Sequence, residues 1–400
     1  MLLSALVGNA ALPDDRSTYS RDELAAILRH SPLPPPPADP TNRFADSPRA
    51  AALGRVLFSE KNLSANGAIS CASCHQASHG FADGRALAKG LAVGSRHTPT
   101  ILGAAYNHWY FWDGRTDSQW SQALQPFENP LEIGSDRTFI VRSVARNDEL
   151  RKAYQALFGA FPSVDDRARF PAHARPGSHA WGAMRAEDRD TIDRAYSNLG
   201  KAIEAYERTL PAGPAPFDRY VAALRAGDAA GESAISPAAK RGVKLFAGAA
   251  NCELCHSGPT FSDGQFHNIG LPLLPGEKAD PGRARGIALV RADRFNGIGP
   301  FSDDPAGAAK DRLEFLPSPA TQVGAFKTPS LRNVAAIAPY MHDGRFATLG
   351  GVLDFYAKGK AASRGRLVGV RETTVDLVPH LSSRQKADLI AFLRTLTRGN

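Results

Sequence analysis

A mainly α-helical fold, built from two copies of one module with long ordered loops, is what this sequence predicts. Three observations carry that expectation. Apolar residues recur at helical spacing, strand-like alternation is scarce, and a set of short motifs repeats at a constant offset. The helical stripe is plainest at Ile192, Tyr196, Leu199, Ile203, Tyr206 and Leu210, which step by four and three along one face. Ser236-Pro237 reads as an N-cap followed by a first-turn proline, opening a helix toward Phe246. Ser382 with Gln385 fits a capping box ahead of the last helix.

The repeat is carried by Thr98-Pro99-Thr100-Ile101 ahead of Trp112-Asp113-Gly114-Arg115, and by Thr328-Pro329-Ser330-Leu331 ahead of His342-Asp343-Gly344-Arg345. The two blocks align at a constant offset of 230. Two further turns, Phe81-Ala-Asp-Gly84 and Phe261-Ser-Asp-Gly264, echo each other as well. Proline marks the boundaries. Pro32 to Pro40 holds six prolines in nine residues and should be an extended, semi-rigid lead-in. Pro211-Ala-Gly-Pro-Ala-Pro216 is the second break. The expected organisation is a leader and Pro-rich segment over 1–46, one module over 47–212 and another over 217–400.

Composition narrows the class. Of 400 residues 43% are hydrophobic and 22% charged, which is ordinary for a globular chain and excludes wholesale disorder. No apolar run approaches the ~18 residues a membrane span needs. The net charge of +8 comes from 48 Lys and Arg spread along the chain, a mildly basic solvated surface with no motif for nucleic acid.

The four cysteines are the strongest chemical signal. They form Cys71-Ala-Ser-Cys74-His75 and Cys252-Glu-Leu-Cys255-His256, with none left over. A disulfide framework would not need the histidines. A zinc site pairs such motifs within one module, whereas here 181 residues separate them. Covalent c-type haem explains both: two thiols add to the haem vinyl groups, and the adjoining histidine supplies an axial nitrogen to iron. Two such haems (heme c) are expected, one per module, so the fold class becomes two cytochrome c-like haem domains. Attachment of this kind belongs outside the cytoplasm, which points to the periplasm. Met1 to Val7 is apolar and Asn9-Ala-Ala11 looks like a cleavage tail, but no basic stretch precedes them, so a signal peptide would be incomplete.

Each haem iron has a second axial position, whose occupant decides between electron transfer and open-site chemistry. Three methionines exist: Met1, Met184 and Met341. At the offset of 230, Tyr356 pairs with Pro126, and proline cannot ligate iron. If these positions face their haems, the first iron stays open and the second can take Tyr356, with Met341 the competing ligand and simple core packing the bland reading of a tyrosine on an apolar face.

Taken together these residues resemble the bacterial di-haem cytochrome c peroxidase family and, within it, the MauG-like branch. The resemblance runs over roughly 47–397. It is carried by the two haem motifs, Thr98-Pro99-Thr100, Phe111-Trp112-Asp113-Gly114-Arg115, Glu128-Asn129-Pro130-Leu131-Glu132, Phe266-His267-Asn268 and Pro339-Tyr340-Met341-His342-Asp343-Gly344. It implies a peroxide-reacting first haem and an electron-transfer second haem, with Trp112 between them. The family's distal glutamine and glutamate fall on Gln122 and Glu132, and the distal proline of the MauG-like branch on Pro126. Ordinary members carry a methionine ligand where this chain has Tyr356, and a removable distal histidine near the position of Leu91. His79 is too close to His75 to serve instead. His97 stands where the family's calcium-binding asparagine would be, which puts that calcium in doubt, although the carbonyls of Ile337 and Pro339 could still contribute.

The resemblance implies a mechanism. Hydrogen peroxide binds the open first iron, Glu132 moves a proton between the peroxide oxygens, Gln122 orders the pocket, Trp112 bridges the haems, and a Tyr356 phenolate lowers the potential of the second. Oxidation of a residue such as tryptophan on a partner protein is the leading function. A peroxidase fed by a small redox protein is the alternative, and a non-enzymatic di-haem electron carrier the third. His267 and His342 are expected to be structural groups near the second haem, His108, Trp109 and Tyr110 to pack beside a haem, and Trp120 and Trp181 to be anchors.

Overall fold

The computed structural model describes residues 18–399. The apolar start at Met1–Val7 and the tail at Asn9–Ala11 lie outside the described residues. The described chain is mainly helical. Its regular strands are Phe266–His267 and Phe326–Lys327, paired antiparallel with Phe266 opposite Lys327.

Two apolar cores organise the molecule. The first gathers helix Pro48–Ser59 against the long helix Ala186–Glu207, with helix Gln119–Glu128 beside them. The second gathers helix Pro237–Ala247 against Ser383–Arg394, with Leu349–Ala357 beside them. Both principal helix pairs pack at close range for the same reason. Gly54 and Gly242 sit where a Cβ would run into the partner backbone, at the carbonyls of Ala202 and Asp388. The predicted stripe is buried at Ile192, Tyr196, Leu199 and Ile203. The helix ends at Glu207, however, so Leu210 falls past it, in the turn that leads to the Pro211–Pro216 break. Ser236 caps its helix by accepting from the Ala239 amide, and Ser382 and Gln385 form the expected reciprocal box.

Neither core is confined to its own stretch of chain. Phe295 and Phe301, far beyond the second cysteine pair, fill the first core. Tyr19 and Ile27, from the opposite end, fill the second. The Pro-rich segment then crosses from one to the other as a strap. Tyr106 Oη donates to the Pro34 carbonyl at 2.6 Å, and Arg208 holds the Pro37 carbonyl at 2.9 Å. Both anchors are side chains reaching over backbone carbonyls, which suits a proline-rich run with few amide donors of its own.

Local conformations recur at the offsets seen in the sequence. Phe111 and Met341 both take positive φ, at 63° and 74°, as do Gly114 and Gly344. Tyr110 bridges Thr116 as Tyr340 bridges Phe346. Ser118 and Thr348 cap the third helix of each group by the same side-chain bond, to the amides of Ser121 and Gly351.

Gly54→Ala and Gly242→Ala should each pry one principal helix pair apart, at a cost of roughly 1–3 kcal/mol. A lowered urea midpoint with an unchanged slope is the expected readout, and an unchanged midpoint would show that the close packing contributes nothing.

Candidate functional site

The four cysteines form no disulfide with one another and lie in two separate places. Among the described residues they do not converge. The one group of three potential metal-ligand side chains is Cys255, Asp263 and His267, which rules out a four-cysteine zinc site. Burial pushes the Cys74 thiol up to about 11 and Cys252 up to about 12, and raises Cys71 too. Burial thus disfavours the thiolate form at these three positions.

Each histidine that follows a cysteine pair is oriented by the same device. His75 Nδ1 meets the Phe81 carbonyl at 2.9 Å, and His256 Nδ1 meets the Phe261 carbonyl at 2.9 Å. Phe81 and Phe261 both sit at positive φ, 59° and 53°, in the left-handed region that phenylalanine avoids. The turn Phe-x-Asp-Gly swings that carbonyl under the ring. A proton held on Nδ1 leaves the Nε2 lone pair free, the arrangement an axial imidazole needs. Burial keeps both imidazoles neutral by lowering their pKa. The residues therefore fit two covalently attached haems.

Around the first pair, helix Gln119–Glu128 carries Gln122 and Pro126 one turn apart. Pro126 lacks the N–H that would bond the Gln122 carbonyl, so that carbonyl is left without its helical partner. The chain then turns through Asn129-Pro-Leu-Glu132. Asn129 donates its side-chain amide to Glu132 Oε1 at 2.6 Å, and its carbonyl takes the Glu132 N–H at 3.0 Å. Burial raises the Glu132 carboxyl above its usual range, against the pull of Arg115, and its charge is felt at Cys71 and Cys74. Leu91, where a distal histidine would fall, donates its N–H to the Glu132 carbonyl at 3.0 Å. Glu132 is thus joined to the first pair through space, by a neighbour, Asn129, that spacing did not single out.

Tyr356 lies on helix Leu349–Ala357, as far past Thr348 as Pro126 lies past Ser118. Burial first, then Cys255 and Cys252, raise its hydroxyl above the ordinary phenol range, so the ring looks onto the second cysteine pair. A phenol in that position stays neutral unless a cation meets it. Met341 occupies the turn position matched by Phe111, whose ring lies 3.4 Å beneath the Arg115 guanidinium.

Trp112 lies on the seam between the two sites. Its indole Nε1 donates to the His97 carbonyl at 2.9 Å, and its own carbonyl accepts the Lys327 N–H at 2.8 Å. The reciprocal bond runs from His97 N–H to the His342 carbonyl at 2.7 Å. Arg283 clamps the turn from the other side, donating to the Gly114 carbonyl at 2.6 Å between the rings of Trp109 and Phe266. Lys327 is half-buried, and desolvation pushes its amine down to about 8. His97 Nδ1 meets the Arg85 carbonyl at 2.7 Å, and its Nε2 is buried without a partner. Calcium takes six to eight oxygen ligands. The His97 ring brings nitrogen rather than oxygen to this position.

Other expectations resolve plainly. Trp120 is fully buried with its Nε1 on Thr41, and Trp181 is buried beneath Arg137. Trp109 and Tyr110 are buried. His342 stacks on Phe326 with centroids 3.6 Å apart. His267 is bracketed by Asp263 and Glu372, both at 2.8 Å. Sequence gave no sign of His30, which stacks on Phe261 at 4.3 Å behind the second axial histidine.

Two unequal sites of the c-type haem pattern, joined by a tryptophan turn, define a two-centre redox protein. The family described as di-haem cytochrome c peroxidase matches residues 48–226. The methylamine utilization protein MauG of Methylorubrum extorquens is 32% identical over 94% of this chain and 86% of its own. The cytochrome-c peroxidase IdrP1 of Denitromonas iodatirespirans is 33% identical over 92% and 85%. A crystal structure of a MauG-like protein associated with microbial copper homeostasis superposes with a TM-score of 0.62 at 28% identity, covering 92% of this chain and 93% of that one. The chain belongs to the di-haem cytochrome c peroxidase family and is an oxidoreductase that uses peroxide. The non-enzymatic carrier reading is set aside. Among the described residues no helix is long and apolar enough to cross a membrane.

Asp263 first, then the Cys255 sulfur and Glu372, lift the His267 pKa to about 11 against the cost of burial. A raised histidine contributes stability that is complete below its unfolded pKa of ~6.5 and is lost as pH rises through the folded value. The stability gap between the native protein and His267→Gln should therefore be widest near pH 6 and shrink steadily toward pH 11. Denaturant titrations at several pH values check this, and a flat gap would show that the pair carries no charge.

Proposed function

We propose that this chain is a periplasmic enzyme of the MauG type, which uses hydrogen peroxide to oxidise a residue, such as tryptophan, on a partner protein. The observation that carries the reading is asymmetry at matched positions: Pro126 at the eighth position of one helix, and at the eighth position of the other Tyr356, which lies near the second cysteine pair. Haem held at each motif by its two cysteines, with His75 and His256 offering their imidazoles to iron, would supply the redox chemistry when bound. The two modules are read as haem domains related by duplication, meeting near residues 212–217.

This chain's own residues then divide the work. Pro126 offers no ligand, so the distal face of the first site stays open to peroxide, and Leu91 adds no competing base. Glu132 is the proton carrier. Burial favours its protonated form, and Asn129 fixes which oxygen is free to take and return a proton, a role worth about 10²–10⁴-fold in rate. Gln122 orders the pocket one turn before Pro126. Trp112, fixed at both its indole and its carbonyl, carries charge across the seam. Tyr356 as a phenolate is an electron-rich oxygen donor that would lower the second potential and let both sites share the oxidising equivalents.

A second reading, peroxide reduction with electrons from a small redox protein, is supported by the likeness to cytochrome-c peroxidases. Turnover separates the two. Fast, sustained oxidation of a reduced small carrier favours the peroxidase, and slow turnover with a modified partner residue favours the MauG type.

Tyr356→Phe should change the optical and paramagnetic spectra of the second haem before and after stoichiometric peroxide, and identical spectra would remove the tyrosinate assignment. Glu132→Gln should slow the reaction with peroxide by about 10²–10⁴-fold in stopped-flow absorbance while leaving haem content intact. A rate within threefold of the native protein would take Glu132 out of the mechanism.

A further inference from the structure

We propose that the loop 358–371 is the docking surface for an acidic redox protein, which meets this chain at the edge of the second site. The inference rests on the functional reading above only for what the docked protein then exchanges. From Lys358 to Arg371 the chain reads Lys-Gly-Lys-Ala-Ala-Ser-Arg-Gly-Arg-Leu-Val-Gly-Val-Arg, with five basic residues and no acidic one.

Both ends of the loop are tied to the second site. It leaves the helix of Tyr356, whose ring faces Cys252 and Cys255. It returns at Glu372, which holds His267 at 2.8 Å, and His267 in turn lies with Asp263 and Cys255 in one cluster. In between the backbone is pinned. Leu273 N–H donates to the Arg366 carbonyl at 2.9 Å, and the Asn268 amide donates to the Val368 carbonyl at 2.7 Å. The charges are therefore presented from a fixed frame.

Lys358, Lys360, Arg364 and Arg366 are exposed; Arg371 turns inward onto Asp376, to which Lys360 also makes a long, exposed ion pair at 3.9 Å. The neighbouring carboxylates are already taken: Glu253 by Arg29, Glu277 by Arg345, Glu372 by His267 and Asp354 by Lys386. Among the described residues no carboxylate lies within salt-bridge distance of Lys358, Arg364 or Arg366. The uncompensated charge at this edge is positive.

Apolar side chains stand exposed in the same region. Leu254, inside the second cysteine motif, is 55% exposed. Leu377 is 53% exposed, and its carbonyl accepts the side-chain amide of Asn251, next to Cys252. Val370, on the loop itself, is 88% exposed. Apolar contacts with a basic border suit a protein partner: the first lose water on association, and the second steer a negatively charged surface into place. The occupant best served by a surface abutting a redox centre is one that exchanges electrons there. A reduced carrier gives one electron per encounter, and two encounters with two protons turn one hydrogen peroxide into two waters. A partner oxidised at a residue gives up the same two electrons and two protons.

The test uses the haem-loaded protein and its Lys358→Glu/Arg364→Glu/Arg366→Glu variant, with two reduced probes: plastocyanin, an acidic cupredoxin, and mitochondrial cytochrome c, a basic haem protein. Plastocyanin oxidation in the presence of peroxide should slow about tenfold or more between low salt and about 0.2 M salt. It should slow by a similar factor in the variant at low salt, while cytochrome c is oxidised faster by the variant. Arg364→Gln/Arg366→Gln should fall between. Salt-independent rates, or a variant that treats both probes as the native protein does, overturn the proposal. So does complete protection of the loop by anionic phospholipid vesicles or duplex DNA that exceeds protection by plastocyanin in hydrogen exchange. The absorbance change on adding peroxide without any probe reports the functional reading separately. If the native protein shows none, that reading fails, and salt-dependent binding of reduced plastocyanin still decides the docking surface.

Discussion

Two backbone hydrogen bonds cross the seam, and the rest of the arrangement depends on them. His97 donates to the His342 carbonyl and Lys327 to the Trp112 carbonyl. The four residues are related by the same offset of 230, so each half holds the Asp-Gly-Arg turn of the other. Gly114 and Gly344 make the exchange possible. Each takes positive φ at 64°, and a Cβ would strike Phe266 and Arg283 at the first or the backbone of Ala86 at the second. Charge then fixes what the backbone has aligned. Arg96 joins Asp113 at 2.6 Å to Asp280 at 2.7 Å, and burial works against Asp113 while Arg115 and Arg96 hold its carboxyl low. Buried ion pairs add little net stability, but a network of this kind penalises any other register.

A seam fixed in this way lets two similar sites differ without losing their alignment. One device is shared by both: a phenylalanine carbonyl under the Nδ1 of the histidine that follows the cysteine pair. The helices Gln119–Glu128 and Leu349–Ala357 have like caps, and their eighth position is proline in one and tyrosine in the other. The seam fixes the separation of the two sites, and the proposed division of labour between them rests on that single difference of side chain.

Much of this was legible in the chain. The cysteine motifs, the offset of 230 and the capping residues are local signals, each read within a few positions. What escaped is what depends on distance. Phe295 and Phe301 look like loop residues between the second motif and its partner block, yet they complete the first core. Glu372 finds His267 across 105 positions. Asn129 was visible as part of a motif, but its hold on Glu132 arises from how the turn after Pro126 folds back. The Pro-rich segment reads as a spacer, and its extended form is as expected. Its service as a strap depends on Tyr106 and Arg208, which composition cannot locate. The Phe81 and Phe261 carbonyls were hidden for a different reason: positive φ is signalled by glycine or asparagine, and here phenylalanine takes it.

That last point bears on how the axial histidines are tuned. A phenylalanine in the left-handed region costs on the order of 1–3 kcal/mol and persists only where surrounding packing over-determines it. Phe261 is fully buried against Phe217, Phe246, Phe392 and His30. Phe81 is only partly buried and packs against the edge of the first core. The carbonyl under His256 is therefore clamped by aromatic contacts, while the one under His75 has fewer. The two Nδ1–carbonyl bonds are nonetheless equally long, 2.9 Å in both, so the halves differ in how stiffly each carbonyl is backed and not in how close it stands to its histidine.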